Sequence, residues 1–439
     1  MADDSRCPRI VIVGGGAGGL ELASRLGDRL GKRGRAEVLL VDASRTHIWK
    51  PILHQLAAGS YDSHAEEIEY LAQARWHHFR FRQGRLAGLD REAREILIAP
   101  LLDADGREII AAQRVGYDYL VLAVGSQTND FGTPGVAEHA IRLDNPDAAR
   151  RFHERLIDAC LRAHNQPVEA GRGRMTVAII GAGATGVELA AELHAAAQVL
   201  VSFGLEHIDP EQDLKIVLVE ASQRILAALP ERLSTAAAVE LRKLAIEIHT
   251  NERVVEVTEA GVRMAGGSFI PSTLTVWAAG IKAADFLKEI GGLETNRINQ
   301  LLVAPTLQTT RDERIFAFGD CAACPNGQGG WVPARAQAAH QQATLLARNI
   351  ERALAGKPLK SFAFQDYGSL VSLSTYSSVG SLMGSLARGS LFVEGQLAKL
   401  MYWGLHKQHQ LALSGFTRTL LITLSEWLDR VHRPKIKLH

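Results

Sequence analysis

Two stretches place glycines where phosphate chemistry would use them. Residues 10–22 read IVIVGGGAGGLEL and residues 176–193 read TVAIIGAGATGVELAAEL, each a β-branched run, a G-x-G-x-x-G turn and the start of an apolar-periodic helix. In such a unit the first glycine permits the tight turn, the second lets backbone approach a pyrophosphate, and the third lets the helix pack closely on the sheet. The helix N-terminus then offers N–H groups and positive dipole to the phosphates. The positions are Gly14, Gly16 and Gly19 in the first unit, and Gly181, Gly183 and Gly186 in the second.

An acid at the end of the next strand completes each unit by taking ribose hydroxyls. Asp42 in VLLVDAS lies 23 residues beyond Gly19, close to the usual offset, and Glu220 in IVLVEAS lies 34 residues beyond Gly186. The longer interval predicts an extended helix or an insertion around HIDPEQD (207–213). A third acid, Asp320, ends the apolar run RIFAFGDCA (314–322) and suits a ligand hydroxyl at the open edge of a parallel sheet, or an N-cap for a following helix.

The elements that must position these groups follow from the same pattern. Residues 8–42 form a first βαβ unit, 79–124 add short strands ending in YDYLVLAVGS, and 174–280 form a second unit ending in STLTVWAAG. The span 141–165 reads as a surface helix crossing between domains. A discontinuous first domain, 1–165 with 296–360, would return Asp320 to the side of Gly14.

Composition agrees with this reading. The chain has 439 residues, enough for two or three domains, and a net charge of +1, which argues against a nucleic-acid partner. Cys7, Cys160, Cys321 and Cys324 are too few and scattered for a disulfide scaffold, so a reducing compartment is expected. MADDSRCPR lacks the order of a signal peptide, and no run of 18 apolar residues predicts a membrane span.

With these motifs in place the chain resembles the two-dinucleotide flavoprotein reductases, and among them most closely the type II NADH:quinone oxidoreductases, over about residues 9–435. The resemblance is carried by HIWKPILHQLAAG (47–59), GAGATGVELAAEL, ARAQAAHQQA (334–343) and FAFQDYGSL (362–370). Leu86 stands where such chains often have valine, and the C-terminal segment is more polar than in many relatives.

The resemblance implies an α/β fold: two Rossmann-like domains, with the NADH domain (166–295) inserted into a discontinuous FAD domain (1–165 and 296–360), and a membrane-binding amphipathic region (361–439). Gly14, Gly15, Gly16, Ala17 and Gly18 would surround the pyrophosphate of non-covalent FAD, Asp42 and Ala43 its adenosine ribose, and Gly125, Asp320, Ala336 and Gln337 the ribityl chain and flavin ring. Gly181, Gly183 and Gly186 would cradle NADH, with Glu220 on its ribose and Glu188 and Gly280 near the nicotinamide. Glu188, Gln337 and Gln341 are the implied catalytic residues, the two glutamines lining the approach of a membrane quinone, ubiquinone or menaquinone.

The implied reaction is hydride transfer from NADH to FAD and then two-electron reduction of quinone without proton pumping. The cofactor does the hard chemistry, so no strong general acid or base is expected. His340 could relay protons or stand solvated. No metal site is expected.

Two other readings are weighed. A flavin disulfide reductase would place its cysteine pair early, and HIWKPILHQLAAG has none, so Cys321 and Cys324 read as small buried side chains at a helix start. A sulfide:quinone oxidoreductase is disfavoured by cysteine placement, since Cys160 falls on the expected surface helix, and by the intact second fingerprint with Glu220. A flavoprotein that binds NADH and signals redox state with little turnover is the reading from another class.

In the tail, 391–415 and 416–431 read as two helices broken near Ser414–Gly415. Phe416, Leu420, Leu424, Trp427 and Val431 form one stripe, with Arg418, Arg430, Arg433, Lys435 and Lys437 around it. This suits an interfacial anchor on anionic lipid at the cytoplasmic face of the inner membrane; packing on the domain or on a second copy, as a homodimer, is the other use.

Overall fold

The computed structural model describes residues 7–61, 67–165, 175–202, 213–374, 376–383, 390–394 and 396–429. The chain divides into two compact units, 1–49 with 66–127 and 281–365, and 50–65 with 128–280 and 366–439.

Each unit is built on the same plan. In the first, Arg9–Val13 lies at the centre of a six-stranded sheet, parallel to Glu37–Asp42 on one side and to Tyr119–Leu122 on the other. Asp312–Ala317 adds in parallel to Tyr119–Leu122, which brings the late strand back into the first sheet as expected. Ile10, Val11, Ile12, Leu120, Val121, Ile315 and Phe316 are all fully buried, so these strands are covered on both faces. In the second unit Met175–Ile180 lies between Leu214–Val219 and Leu274–Trp277 in a five-stranded parallel sheet. A three-stranded antiparallel sheet accompanies each parallel one, Leu86–Asp90, Glu95–Ile98 and Gln113–Gly116 in the first unit, and Val254–Thr258, Gly261–Met264 and Phe269–Pro271 in the second.

The unit boundaries differ from the expected domains. Ile141–Arg142 is a strand that pairs in parallel with Leu274–Trp277, and the helix Pro146–Asn165 follows it, so 128–165 belong to the second unit. Residues 281–295 join the first unit, and 366–439 join the second instead of standing apart. The helix Pro146–Asn165 is not a surface helix throughout. It buries Phe152, Leu156, Ala159, Cys160 and Ala163, an apolar stripe at helical spacing.

The tail also departs from expectation. Gly368–Leu373, Ser377–Met383 and Ser390–Glu394 form an antiparallel sheet, so the helix begins at Gln396 and not at 391. It runs to Asp429 and is broken at Gly415, whose φ of 72° and ψ of 170° leave the helical region, as the glycine predicts. The insertion expected around 207–213 falls almost wholly outside the described residues. The helix before it, Ala184–Ser202, accounts for part of the long interval to Glu220. Val431, Arg430, Arg433, Lys435 and Lys437 also lie outside them.

Candidate functional site

The two glycine turns agree atom by atom. Gly14 has φ +101° and Gly181 φ +102°, both closed to L side chains without strain. Gly14 N–H donates to Val41 O at 2.8 Å, and Gly181 N–H donates to Val219 O at 2.7 Å. A Cβ on Gly14 would stand 2.3 Å from Ala123 O, and one on Gly181 2.6 Å from Ala279 Cα. At the third glycines the helix closes on the turn: a Cβ on Gly19 would meet Gly14 O at 1.9 Å, and one on Gly186 would meet Gly181 O at 2.0 Å.

The middle glycines are different. A Cβ on Gly16 or on Gly183 would meet nothing within 4 Å, so at these positions the protein itself does not require glycine. That is the space a pyrophosphate would occupy. Helix Ala17–Arg29 has no side-chain cap, and neither it nor Ala184–Ser202 has an acidic residue in its first turn. Both N-termini are therefore suited to an anionic ligand.

The strand-end acids hold these turns in place. The Asp42 carboxylate accepts from Gly15 N–H at 2.6 Å and Ser44 N–H at 2.8 Å. Glu220 repeats the pattern, accepting from Ala182 N–H and Ser222 N–H, each at 2.8 Å. Burial raises the Asp42 carboxyl from its ordinary range, against the lowering effect of those two backbone donors. Sequence reasoning missed a second support: the Tyr70 hydroxyl donates to Gly15 O at 2.8 Å, and His47 Nδ1 lies 3.0 Å from the same oxygen. Burial lowers His47 to about 4, so it is neutral near pH 7.

Around the first turn lie several of the other candidates. A Cβ on Gly18 would meet the Phe318 ring at 2.5 Å, so the strand end before Asp320 packs directly on the fingerprint helix. Asp320 lies in a single turn, Gly319–Cys321, and accepts from the Ser126 hydroxyl at 2.8 Å, next to Gly125 with φ +73°. Ala43 O accepts from the Gln83 side chain at 3.3 Å. Helix Ala336–Leu354 starts at Ala336 and carries Gln337 on its first turn, partly buried.

Gln341 is engaged elsewhere: its side-chain N–H donates to Gln365 O at 2.8 Å and its oxygen accepts from Gln365 N–H at 3.0 Å. It holds Gln365 against the helix. Gln342, not singled out from the sequence, is buried and accepts from Gly319 N–H at 2.8 Å, which fixes the turn that carries Asp320. His340 is not simply solvated, because its Nδ1 pairs with the buried carboxylate of Glu21.

Cys321 and Cys324 are free thiols, both buried. They do not begin a helix. Cys321 ends the Gly319–Cys321 turn, Ala322–Ala323 is a short strand, and the next helix is the one at Ala336. The Cys321 thiol donates to Leu122 O at 3.4 Å, and burial pushes both thiols up to about 11. Neither is a thiolate at neutral pH.

In the second unit Gly280 has φ +62°, and a Cβ there would meet the Phe131 ring at 2.4 Å. Glu188 is an acid strongly perturbed by its surroundings. It is 6% exposed, accepts from Ser372 N–H at 3.1 Å, and is pushed up to about 8, first by burial and then by the neighbouring Glu192. His54 Nδ1 lies 3.5 Å from Glu188, yet burial lowers that imidazole to about 4. At neutral pH the contact joins two neutral groups and is not an ion pair, since neither holds a charge there.

Residues 8–343 match the family model described as pyridine nucleotide-disulphide oxidoreductase. The type II NADH:quinone oxidoreductase of Haemophilus influenzae is 43% identical over 98% of this chain and 99% of its own length. The Mycobacterium tuberculosis enzyme Ndh, of the same name, is 28% identical over 97% of this chain and 88% of its own. The solved structure of NDH2 from Plasmodium falciparum in complex with NADH superposes with a TM-score of 0.81 at 18% identity, over 98% of this chain and 100% of that one. A sulfide:quinone oxidoreductase from Aquifex aeolicus shares the fold at a TM-score of 0.72 and 16% identity, over 93% of this chain and 92% of that one. Two matched dinucleotide turns, a near full-length relative at this identity and buried, unpaired thiols agree, and the chain belongs to the type II NADH:quinone oxidoreductase family.

Proposed function

We propose that this chain oxidises NADH at the second fingerprint and delivers the electrons, through FAD held at the first, to a membrane quinone. The observation that supports the assignment of both ligands is the open space beside Gly16 and Gly183, between first and third glycines that leave no room for a side chain. Bound FAD supplies the two-electron chemistry, taking hydride from NADH and passing electrons to quinone. Gly14 to Gly18 and Asp42 would hold its adenosine and pyrophosphate, and Gly125, Asp320, Ala336 and Gln337 its ribityl chain and ring.

Glu220 would take the NADH ribose hydroxyls and repel a 2′-phosphate. Glu188 and Gly280 would adjoin the nicotinamide. Gln337 would meet the quinone, while Gln341 holds Gln365. The flavin spectrum of the purified protein, with NADH, NADPH and sulfide compared as reductants of a short-chain quinone, tests this. Rapid turnover with NADH alone is expected. Sulfide as the better reductant would restore the sulfide:quinone reading, and flavin reduction without turnover would restore the redox-signalling one.

For the tail we propose an interfacial anchor, peripheral at the cytoplasmic face of the inner membrane. Beyond Gly415 the helix exposes Phe416 (71%), Leu420, Leu421, Leu424 and Leu428, a face broader than the stripe read from the sequence. No helix among the described residues is long and apolar enough to cross a membrane. Each of these side chains contributes roughly 1.5–3 kcal/mol when fully buried, enough together for firm, reversible attachment. A second copy of the chain is the competing occupant of this face.

A further inference from the structure

The strand Leu214–Val219 and the helix Glu231–Lys243 are joined by a segment that turns back on the second glycine turn. Glu220 begins it, and its carboxylate accepts from Ala182 N–H at 2.8 Å. Further along, Leu226 N–H donates to Ala182 O at 2.8 Å. Ala182, between the first two glycines, is thus held at both of its polar atoms.

In a trans peptide the carbonyl and the following N–H point in opposite directions. With Ala182 O tied to Leu226, the N–H of Gly183 is turned away from the segment, and a Cβ on Gly183 would meet nothing within 4 Å. The same geometry applies within the segment. Leu226 N–H shares its peptide with Ile225 O, and that oxygen accepts from the buried Ser234 hydroxyl at 2.6 Å. The next two carbonyls are held by one guanidinium: Arg224 donates to Leu226 O at 3.2 Å and to Ala227 O at 2.9 Å.

Leu226 is held in a conformation that it resists. Its φ is +50°, in the left-handed region, and its side chain is buried. Strain of this kind persists only where the surroundings over-determine it, and it gathers at ligand clamps. The first unit holds the equivalent carbonyl by side chains: Gly15 O accepts from the Tyr70 hydroxyl and lies 3.0 Å from His47 Nδ1. Both copies therefore fix this one carbonyl, and the second does so through a strained residue braced on either side.

We propose that Arg224 and Ser234 are positioning residues for NADH: they lock Ile225 and Leu226 so that Leu226 N–H keeps the Ala182–Gly183 peptide turned to receive the pyrophosphate. This rests on the reading of the second turn as the NADH site. Both side chains act through the backbone of the segment and not on the dinucleotide itself. Their loss lets that peptide rotate, and NADH must then re-order it on binding.

The test uses full-length enzyme with FAD bound, with Arg224→Met, Ser234→Ala and Gly183→Ala as single variants and Arg224→Met combined with Leu226→Gly. In Arg224→Met the KM for NADH should rise about tenfold. Its kcat at saturating NADH and its KM for quinone should stay within about twofold of wild type. Ser234→Ala should shift the KM for NADH in the same direction. Glycine takes a positive φ without steric cost, so adding Leu226→Gly to Arg224→Met should bring the KM for NADH back down, while loss of the buried leucine lowers the melting temperature. A merely structural role would move both readouts for the worse. Wild-type KM in both single variants while Gly183→Ala raises it, or a double variant no better than Arg224→Met, would overturn the proposal and leave the NADH reading standing. If Gly183→Ala also leaves the KM unchanged, the reading of the second turn fails and the proposal with it. Loss of bound FAD in Arg224→Met would mark a general folding role and overturn the proposal.

Discussion

Replacing Glu188 by glutamine isolates the cost of a buried carboxylate. Glutamine keeps the volume and the acceptor for Ser372 N–H, and removes the titration. The wild-type carboxyl moves from an ordinary 4.5 to about 8, so between these pH values the native state holds a proton that the unfolded chain has released. Stability from this group is fully present below pH 4.5 and is lost as pH rises through 8. At about 1.4 kcal/mol per pH unit the loss accumulates to about 5 kcal/mol across the window.

His54 and His47, lowered to about 4, titrate with the opposite sign: the unfolded imidazoles bind protons that the native ones refuse. They are the same in both proteins and cancel in the difference. Urea unfolding of each protein at saturating FAD, across this pH range, reads the stability of Glu188→Gln minus wild type. The difference should climb steadily with pH and level off above 8. A flat difference would refute the buried neutral carboxyl, whatever its constant offset.

Gly183→Ala should fold and bind FAD normally but raise the KM for NADH, because its new methyl meets open space in the protein and only a ligand could collide with it. Gly181→Ala, at φ +102°, should instead lower the melting temperature. Glu220→Gln should raise kcat/KM for NADPH relative to NADH; an unchanged ratio would remove Glu220 from the ribose site. Ellman's reagent should label Cys7 in the native protein and all four cysteines only after unfolding, and the Cys321→Ser, Cys324→Ser double variant should keep its quinone reduction. Truncation after Gly415 should preserve flavin and electron transfer to soluble acceptors while abolishing binding to anionic vesicles. Co-sedimentation equal to that of the full chain would assign the exposed helix to another partner.

How much of this was legible in the sequence depended on how local each constraint is. Gly14 and Gly181 announced themselves because their requirement, a positive φ beside an incoming strand, is met within one βα turn. The return of Asp320 to the first sheet was legible for a similar reason, an apolar strand with an acid at its end. The division between units was not, since it turns on Ile141–Arg142, two residues whose pairing with Leu274–Trp277 leaves no periodic signal. Residues 391–394 read into the following helix because their apolar residues run on toward it, although Gly395 marks the boundary between strand and helix. The buried stripe of Phe152, Leu156 and Cys160 was there to be read at helical spacing.

The reason one chain carries the device twice shows in what lies behind each turn. Glu21 and Glu188 both stand seven residues after the first glycine of their fingerprint, and both are buried. In the first unit the residue one turn on is Arg25, which pairs with Glu21 at 2.7 Å, and His340 adds a second partner. There the carboxylate is compensated and its role is to tie helix Ala17–Arg29 to Ala336–Leu354. In the second unit the residue one turn on is Glu192, a like charge, and the facing His54 is neutral near pH 7. Burial, and after it the neighbouring Glu192, raise the Glu188 carboxyl to about 8, so it keeps its proton near neutral pH. The same backbone cradle thus stands in front of a carboxylate paired with Arg25 in one copy and of a carboxyl raised by burial in the other. The change that separates them is arginine to glutamate at a single helical position.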